Sequence, residues 1–265
     1  MKIVTWNVNS VRQRLPRLLG VLARHEPDIA CLQETKVTDG DFPARELRSA
    51  GYYSAAYGQK AYNGVAILAR EPLADVRLGF RGDPAPEEAR VLAATVGEFR
   101  VVDVYVVNGK STGNPAYQVK LAWLDALAEH LAATEDPAKP LIVTGDFNVA
   151  PSDLDVHDVR LWAGKNLASE PERERIRRLA AWGLADLGRS FAGPDEQGPF
   201  SWWDYRAGAF HLGWGLRIDL MLGTMPVADR LVSVHVDRDE RKPTSGEGKP
   251  SDHAPVILTL RDGAA

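Results

Sequence analysis

A chain of 265 residues, 45% apolar and 26% charged, is long enough to bury a substantial core without covalent staples, and it carries no apolar stretch that would span a bilayer. Its single cysteine, Cys31, excludes an internal disulfide and suits a reducing cytoplasm. With 32 basic and 36 acidic side chains the formal charge is −4, which argues against a protein that coats nucleic acid through many phosphate contacts but leaves room for a site built from carboxylates.

The start, MKIVTWNVNS, has one lysine and no long apolar run, so no leader is expected and the cell interior is the expected address. Residues 2–8 have strand composition. Residues 11–25 place apolar side chains at helical spacing, and Pro27 enforces a break. Residues 28–33 form a nearly continuous apolar run, as in a strand covered on both faces. Further strands are predicted over 64–69, 91–96 and 100–107, then a long helix over 115–133 and a buried strand over 141–148. A charged amphipathic helix over 170–182 precedes strands at 218–223, 231–236 and 254–260. No repeats interrupt this order, and the candidate linkers, 79–88, 134–139, 193–199 and 241–250, are short. About ten short strands are more than one sheet holds comfortably, so two packed sheets with helices outside are expected. Chemically suggestive residues lie at both ends and in the middle, so residues 1–265 are read as a single catalytic domain.

Those residues sit where strands end: Asn7 and Asn9, Glu34, Tyr105 and Asn108, Asp146 and Asn148, Asp219, Asp252 and His253. Positions two apart on a strand share a face, so Asn7 with Asn9, and Asp146 with Asn148, can each present two polar groups together. Taken singly, each has a plainer role. An asparagine forms turns, a glutamate at a strand end is usually solvated, and the Ser-Asp-His stretch could cap a helix. Cys31 reads as a small core hydrophobe. Taken together, the plain roles would require five strand termini to be acidic or amide by accident. Hard carboxylate and amide oxygens with no second cysteine point to Mg²⁺, with Mn²⁺ as the alternative, and away from structural zinc. A histidine beside one aspartate and oriented by another can stabilise charge or move a proton, and an Asp near an Asn can align a water against a phosphate. This is equipment for in-line hydrolysis of a phosphate ester.

The motifs WNVNS, LQETK, VYVVNG, TGDFN, FSWWDYR, LRIDLML and PSDHAPV, in this order from Lys2 to about Leu260, resemble the exonuclease III family of AP endonucleases, within the endonuclease/exonuclease/phosphatase fold. The resemblance implies a four-layer α/β sandwich, two packed mixed β-sheets flanked by helices. It also implies Mg²⁺-dependent cleavage of duplex DNA 5′ to abasic sites, with 3′→5′ exonuclease and 3′-end-cleaning activity, by a cytoplasmic monomer. By resemblance, Glu34 is the principal metal ligand, Asn7 supports it and Asp252 is a second acidic position near the metal. Asp146 aligns or deprotonates the attacking water, and Asn148 holds the scissile phosphate. Tyr105 contacts the phosphate or assists the leaving group, Asn108 adds a phosphate contact, and Asn9 faces the substrate. His253, oriented by Asp219, donates to the phosphate. Trp202, Leu216 and Ile218 match an apolar pocket for a flipped-out abasic sugar, too small for a base. Two departures stand out: Val107 replaces the family's usual proline before Asn108, and residues 241–249 are slightly longer than usual. Two other readings are a sibling phosphoesterase acting on a non-DNA phosphoester, opposed by WWDYR and LRIDL, and a non-catalytic DNA-binding relative, opposed by the presence of Glu34, Asp146, Asp219 and His253.

Overall fold

Period-two alternation decides the layering. In β1 (Lys2–Asn7), Ile3 joins one apolar cluster while Val4 and Trp6 join another. The same split recurs in β2 (Ile29–Gln33) and β4 (Val65–Ala69): Ile29, Cys31, Val65 and Ile67 on one face, Ala30, Leu32, Ala66 and Leu68 on the other. The second face is covered by the helices Val11–His25 and Ala44–Ser49 through Leu18, Val21, Leu22 and Leu47. A second sheet repeats the arrangement. Leu92 and Ala94 of β6 (Val91–Val96), Val101 of β7 (Phe99–Tyr105), Ile142 of β8 (Leu141–Asp146) and Met221 of β10 (Asp219–Gly223) meet the first sheet in a shared core. Their alternate residues, among them Val102, Val104, Val143 and Leu220, pack beneath the helices Pro115–Thr134 and Glu170–Trp182. The result is four layers, helix, sheet, sheet, helix, as expected.

The computed structural model describes residues 1–193 and 195–262. Pro194, inside the expected 193–199 linker, and residues 263–265, at the end of the expected domain, lie outside them. The remaining strands are β3 (Tyr53–Tyr57), β5 (Ala74–Leu78), β9 (Ala185–Asp186), β11 (Leu231–Val236) and β12 (Val256–Leu260). The sheet orders are β11-β12-β1-β2-β4-β3 and β5-β6-β7-β8-β10-β9, with β1/β2 and β7/β8 parallel and the other pairs antiparallel. Three strands escape the sequence pattern, β3, β5 and β9, and all three are outermost in their sheets. An edge strand lacks the double burial that writes an apolar run: β5 is exposed along its whole length, and β9 has two residues. Among the described residues no helix is long and apolar enough to cross a membrane.

Helix starts follow local chemistry. Asn114 accepts the Ala116 N–H ahead of a first-turn proline, and Ser169 and Glu172 form a reciprocal capping box. Strand direction then places the polar residues. The C-terminal ends of β1, β2, β7 and β8 and the first residues of antiparallel β10 and β12 gather at one rim, because Asp219 pairs with Asp146 and Asn7 with Gln33. Gly145 makes this rim buildable. It lies between Val104 of β7 and Leu220 of β10 with φ +138°, and a Cβ there would stand 2.0 Å from the Val104 carbonyl oxygen. Gly145→Ala is therefore expected to destabilise the fold by at least about 3 kcal/mol in urea titration; a loss under about 1 kcal/mol would contradict this account of the strand spacing.

Candidate active site

At the rim the backbone turns sharply to aim its side chains. Asn9, Glu34 and Asn148 adopt left-handed φ values of 45°, 51° and 51°. Such values are uncommon outside glycine and asparagine and persist only where surroundings enforce them. Glu34 is the notable case, because its side chain gains nothing locally from that conformation. The turn brings its carboxylate back over the end of β1.

There, Asn7 lies between two carboxylates from different sheets. Its Nδ2 donates to Glu34 Oε1 at 2.8 Å and to Asp146 Oδ2 at 2.9 Å, while its Oδ1 accepts the Asn9 N–H at 3.0 Å. The backbone N–H fixes the amide's orientation, so it is the nitrogen that faces the carboxylates. Ligand atoms of Glu34, Asp146 and His253 lie within 4.8 Å of one another. These hard oxygens, from Glu34 and Asp146, fit a divalent cation; two anions so close repel each other and gain from a shared positive charge. Lys36 supplies some of that charge, with its Nζ 2.7 Å from Glu34 Oε2 and 2.5 Å from Asn9 Oδ1.

The imidazole of His253 has a different role from the carboxylates. Its Nδ1 is 2.9 Å from Asp219 Oδ2, and its Nε2 is 3.8 Å from Asp146 Oδ2. Asp146 and Asp219 are direct cross-strand partners, and His253 stands against both. Burial opposes charge on the ring, but Asp219 and Asp146 outweigh it and hold the imidazole well above its ordinary pKa. A protonated ring donates and does not ligate a metal. Burial, with the charges of Asp219 and Glu34, raises Asp146 against the pull of His253, so this carboxylate is a better proton acceptor than an ordinary aspartate. Ser201 Oγ donates to Asp219 Oδ2 at 2.6 Å and holds the orienting carboxylate in place.

Asn148 extends the site. Its backbone N–H reaches Asp146 Oδ1 at 2.9 Å, its Nδ2 donates to the Val106 carbonyl at 3.0 Å, and its Oδ1 accepts Nδ2 of Asn108 at 2.8 Å. Tyr105 faces the same rim; burial and the charges of Glu34 and Asp146 push its phenol well above the ordinary range, so it keeps its proton. Asp252, expected near the metal, is tied to two residues at the same rim: Oδ1 accepts from Asn9 Nδ2 at 2.8 Å and Oδ2 from Trp202 Nε1 at 3.1 Å. Trp202, Leu216 and Ile218 do come together, in an apolar cluster with Ala150, Val156, Leu167 and Ala168. Leu216 and Ile218, however, are 0% and 2% exposed, so only Trp202 of the three presents a surface. Lys36 and Ser201 were not singled out from the sequence, although each lies inside a motif that was; a basic residue two after a candidate ligand was the available signal for Lys36.

Two stacked six-stranded sheets with carboxylates converging from both define an endonuclease/exonuclease/phosphatase protein, and the model of that family (Endonuclease/Exonuclease/phosphatase family) matches residues 4–253. Exodeoxyribonuclease III of Haemophilus influenzae is 33% identical over 267 residues, covering 97% of this chain and 98% of that protein. Among solved structures, the 3′ phosphatase NExo from Neisseria bound to product DNA hairpin is 40% identical with a TM-score of 0.93, covering 98% of this chain and 99% of the other. An AP endonuclease from Archaeoglobus fulgidus is 35% identical with a TM-score of 0.92, at the same coverage. The chain belongs to the endonuclease/exonuclease/phosphatase family, in its exonuclease III branch.

The histidine geometry has a direct check. In metal-free protein, ¹⁵N NMR is expected to show His253 titrating above the ordinary histidine value of about 6.5, and Asp219→Asn should lower that midpoint by about one to three pH units. A midpoint unmoved by the substitution would mean that Asp219 does not set the ring's charge.

Proposed function

We propose that this chain is a magnesium-dependent DNA phosphodiesterase of base-excision repair, and that residues 1–265 act as one catalytic unit. It cleaves the backbone of duplex DNA 5′ to abasic sites and trims or cleans 3′ ends. The observation that carries the reading is the junction of Glu34 and Asp146, from different sheets, beside the His253–Asp219 pair. Relatives named for exodeoxyribonuclease, AP endonuclease and 3′ phosphatase activity, matched over nearly their whole length, support the substrate class. The bacterial relatives and the buried, unpaired Cys31 support a cytoplasmic address.

Glu34 and Asp146 would hold Mg²⁺ or Mn²⁺, with Asn7 fixing both carboxylates. The bound ion would polarise a phosphoryl oxygen and neutralise charge at the leaving oxygen. Asp146, its orientation fixed by Asn7 and the Asn148 N–H, orients a water and accepts its proton. The imidazolium of His253 donates from Nε2 to a non-bridging phosphate oxygen, and Asp219 keeps its Nδ1 proton engaged. Asn148 and Asn108 donate to the same phosphate, and the Tyr105 phenol stands ready at the leaving group. Asn9 and Asp252 support the substrate face by fixing Trp202, which forms the wall against the sugar. A second reading is favoured by the burial of Leu216 and Ile218: if only Trp202 of the three meets the substrate, chemistry at 3′ ends would outrun nicking at internal abasic sites.

One assay tests both. A duplex with a single tetrahydrofuran site and a duplex with a recessed 3′ end are incubated with Mg²⁺ or with EDTA. Magnesium-dependent cleavage of at least one is expected; activity on neither, or equal activity in EDTA, would remove the proposal. Asp146→Asn should lower kcat by about 10²- to 10⁴-fold with DNA binding retained, measured by single-turnover cleavage and filter binding; near-normal turnover would contradict its role. Trp202→Ala should reduce the preference for the tetrahydrofuran duplex over undamaged DNA by about tenfold, equivalent to about 1.4 kcal/mol, and unchanged selectivity would count against the wall.

A further inference from the structure

The helix Pro115–Thr134 turns Tyr117, Leu121, Leu124, Leu127 and Leu131 inward, and on the same buried stripe it carries a lysine. Lys120 is 0% exposed. Removing an ammonium from water is expensive unless it is paired and its donors are filled. Glu172, equally buried, supplies the countercharge by an ion pair with Nζ. An ammonium has three donors, and the other two do not stay with Glu172. One goes to the backbone carbonyl of Asn148 at 2.6 Å. The last is shared between the carbonyl of Asn108 at 3.3 Å and Asn166 Oδ1 at 3.4 Å.

Those two carbonyls belong to the asparagines that follow β7 and β8 and are read above as phosphate contacts. Asn148 holds a left-handed backbone, and Asn108 lies in the loop that follows β7. Asn166 reinforces the arrangement, donating from Nδ2 to the Asn108 carbonyl at 2.7 Å. Glu172 is itself fixed by the capping box, accepting the Ser169 N–H at 3.0 Å and the Ser169 hydroxyl at 2.5 Å, and by the Leu167 N–H at 3.0 Å. A lysine that only closed an ion pair would not need to reach both catalytic loops.

We propose that Lys120 is a positioning residue for phosphodiester cleavage: it mounts the Asn108 and Asn148 loops on one rigid helix pair, fixing the spacing of their amides around the scissile phosphate. The inference rests on the phosphate-binding reading of those asparagines. Lys120 touches no substrate and acts through their backbones, so its loss should displace both amides by a fraction of an ångström without touching Glu34 or Asp146.

The test is steady-state cleavage of a recessed 3′-end duplex by the full chain in Mg²⁺. Lys120→Met alone leaves Glu172 buried and unpaired and is expected to melt early. The informative variant is therefore Lys120→Met with Glu172→Gln, which removes both charges and keeps a capping acceptor for Ser169. It should lose about 10- to 100-fold in kcat, with KM and the magnesium concentration for half-activity little changed. In an Asn148→Ala background the same pair of changes should lose much less, because the amide being positioned is gone. Near-normal kcat, or an equal loss in both backgrounds, overturns the proposal. Asn148→Ala with full activity would instead overturn the phosphate reading, and the proposal with it, without Lys120 having been altered. If the charge-neutral variant does not fold, Asn166→Ala decides: it spares the ion pair, and a several-fold fall in kcat at unchanged magnesium response supports the mounting, whereas wild-type kcat overturns it.

Discussion

Two hydrogens on one amide hold this site together. Asn7 Nδ2 donates to a carboxylate from each sheet, and its oxygen is pinned to the Asn9 backbone so that the amide cannot turn round. Without such a tie Glu34 and Asp146 would move apart, because two anions this close, one buried and one half-buried, repel each other. The arrangement is poised for positive charge, with an imidazolium on one side, Lys36 on the other and room for a hard cation between the carboxylates. Asp252 holds Asn9 and Trp202 at the same rim.

The sheets beneath are graded to support that junction. Along the inner faces, apolar residues such as Ile3, Cys31, Val101 and Ile142 give way to a polar layer before the rim is reached. In that layer Gln33 Nε2 donates to Thr5 Oγ1 at 2.9 Å and to Asp103 Oδ1 at 2.6 Å. Burial pushes the Asp103 carboxyl well above the carboxylate range, against the pull of Gln33 and nearby backbone N–H groups. Seryl and indole groups complete the frame: Ser251 Oγ donates to the Asn7 carbonyl at 2.7 Å, and Trp6 Nε1 to the His253 carbonyl at 3.1 Å, joining the two ends of the chain.

Much of this could be read from residue order because doubly buried strands write continuous apolar runs and the site lies where those runs stop. That is why Asn7, Glu34, Asp146 and Asp219 stood out, and why the layering followed. What failed to show had a physical cause in each case. The edge strands β3, β5 and β9 contain no buried residue, β5 being exposed and the other two half-buried, and so they lack the apolar pattern. Leu216 and Ile218 sit at pocket positions by motif, yet whether a side chain lines a recess or backs its wall depends on packing with Val156 and Leu167, which no local spacing encodes. Lys120 left one trace, a charge on an apolar helical stripe, whose meaning needed the partners Glu172, Asn108 and Asn148 that lie far off in the chain.

The site centres on a place for one cation between carboxylates contributed by two sheets. Crystals of the full chain soaked in Mn²⁺ and measured for anomalous scattering would locate it without reference to turnover. The account predicts a manganese peak between the Glu34 and Asp146 carboxylates, with His253 outside its coordination. A peak at Asp252 with nothing between Glu34 and Asp146, or one bound directly to the His253 ring, would contradict it.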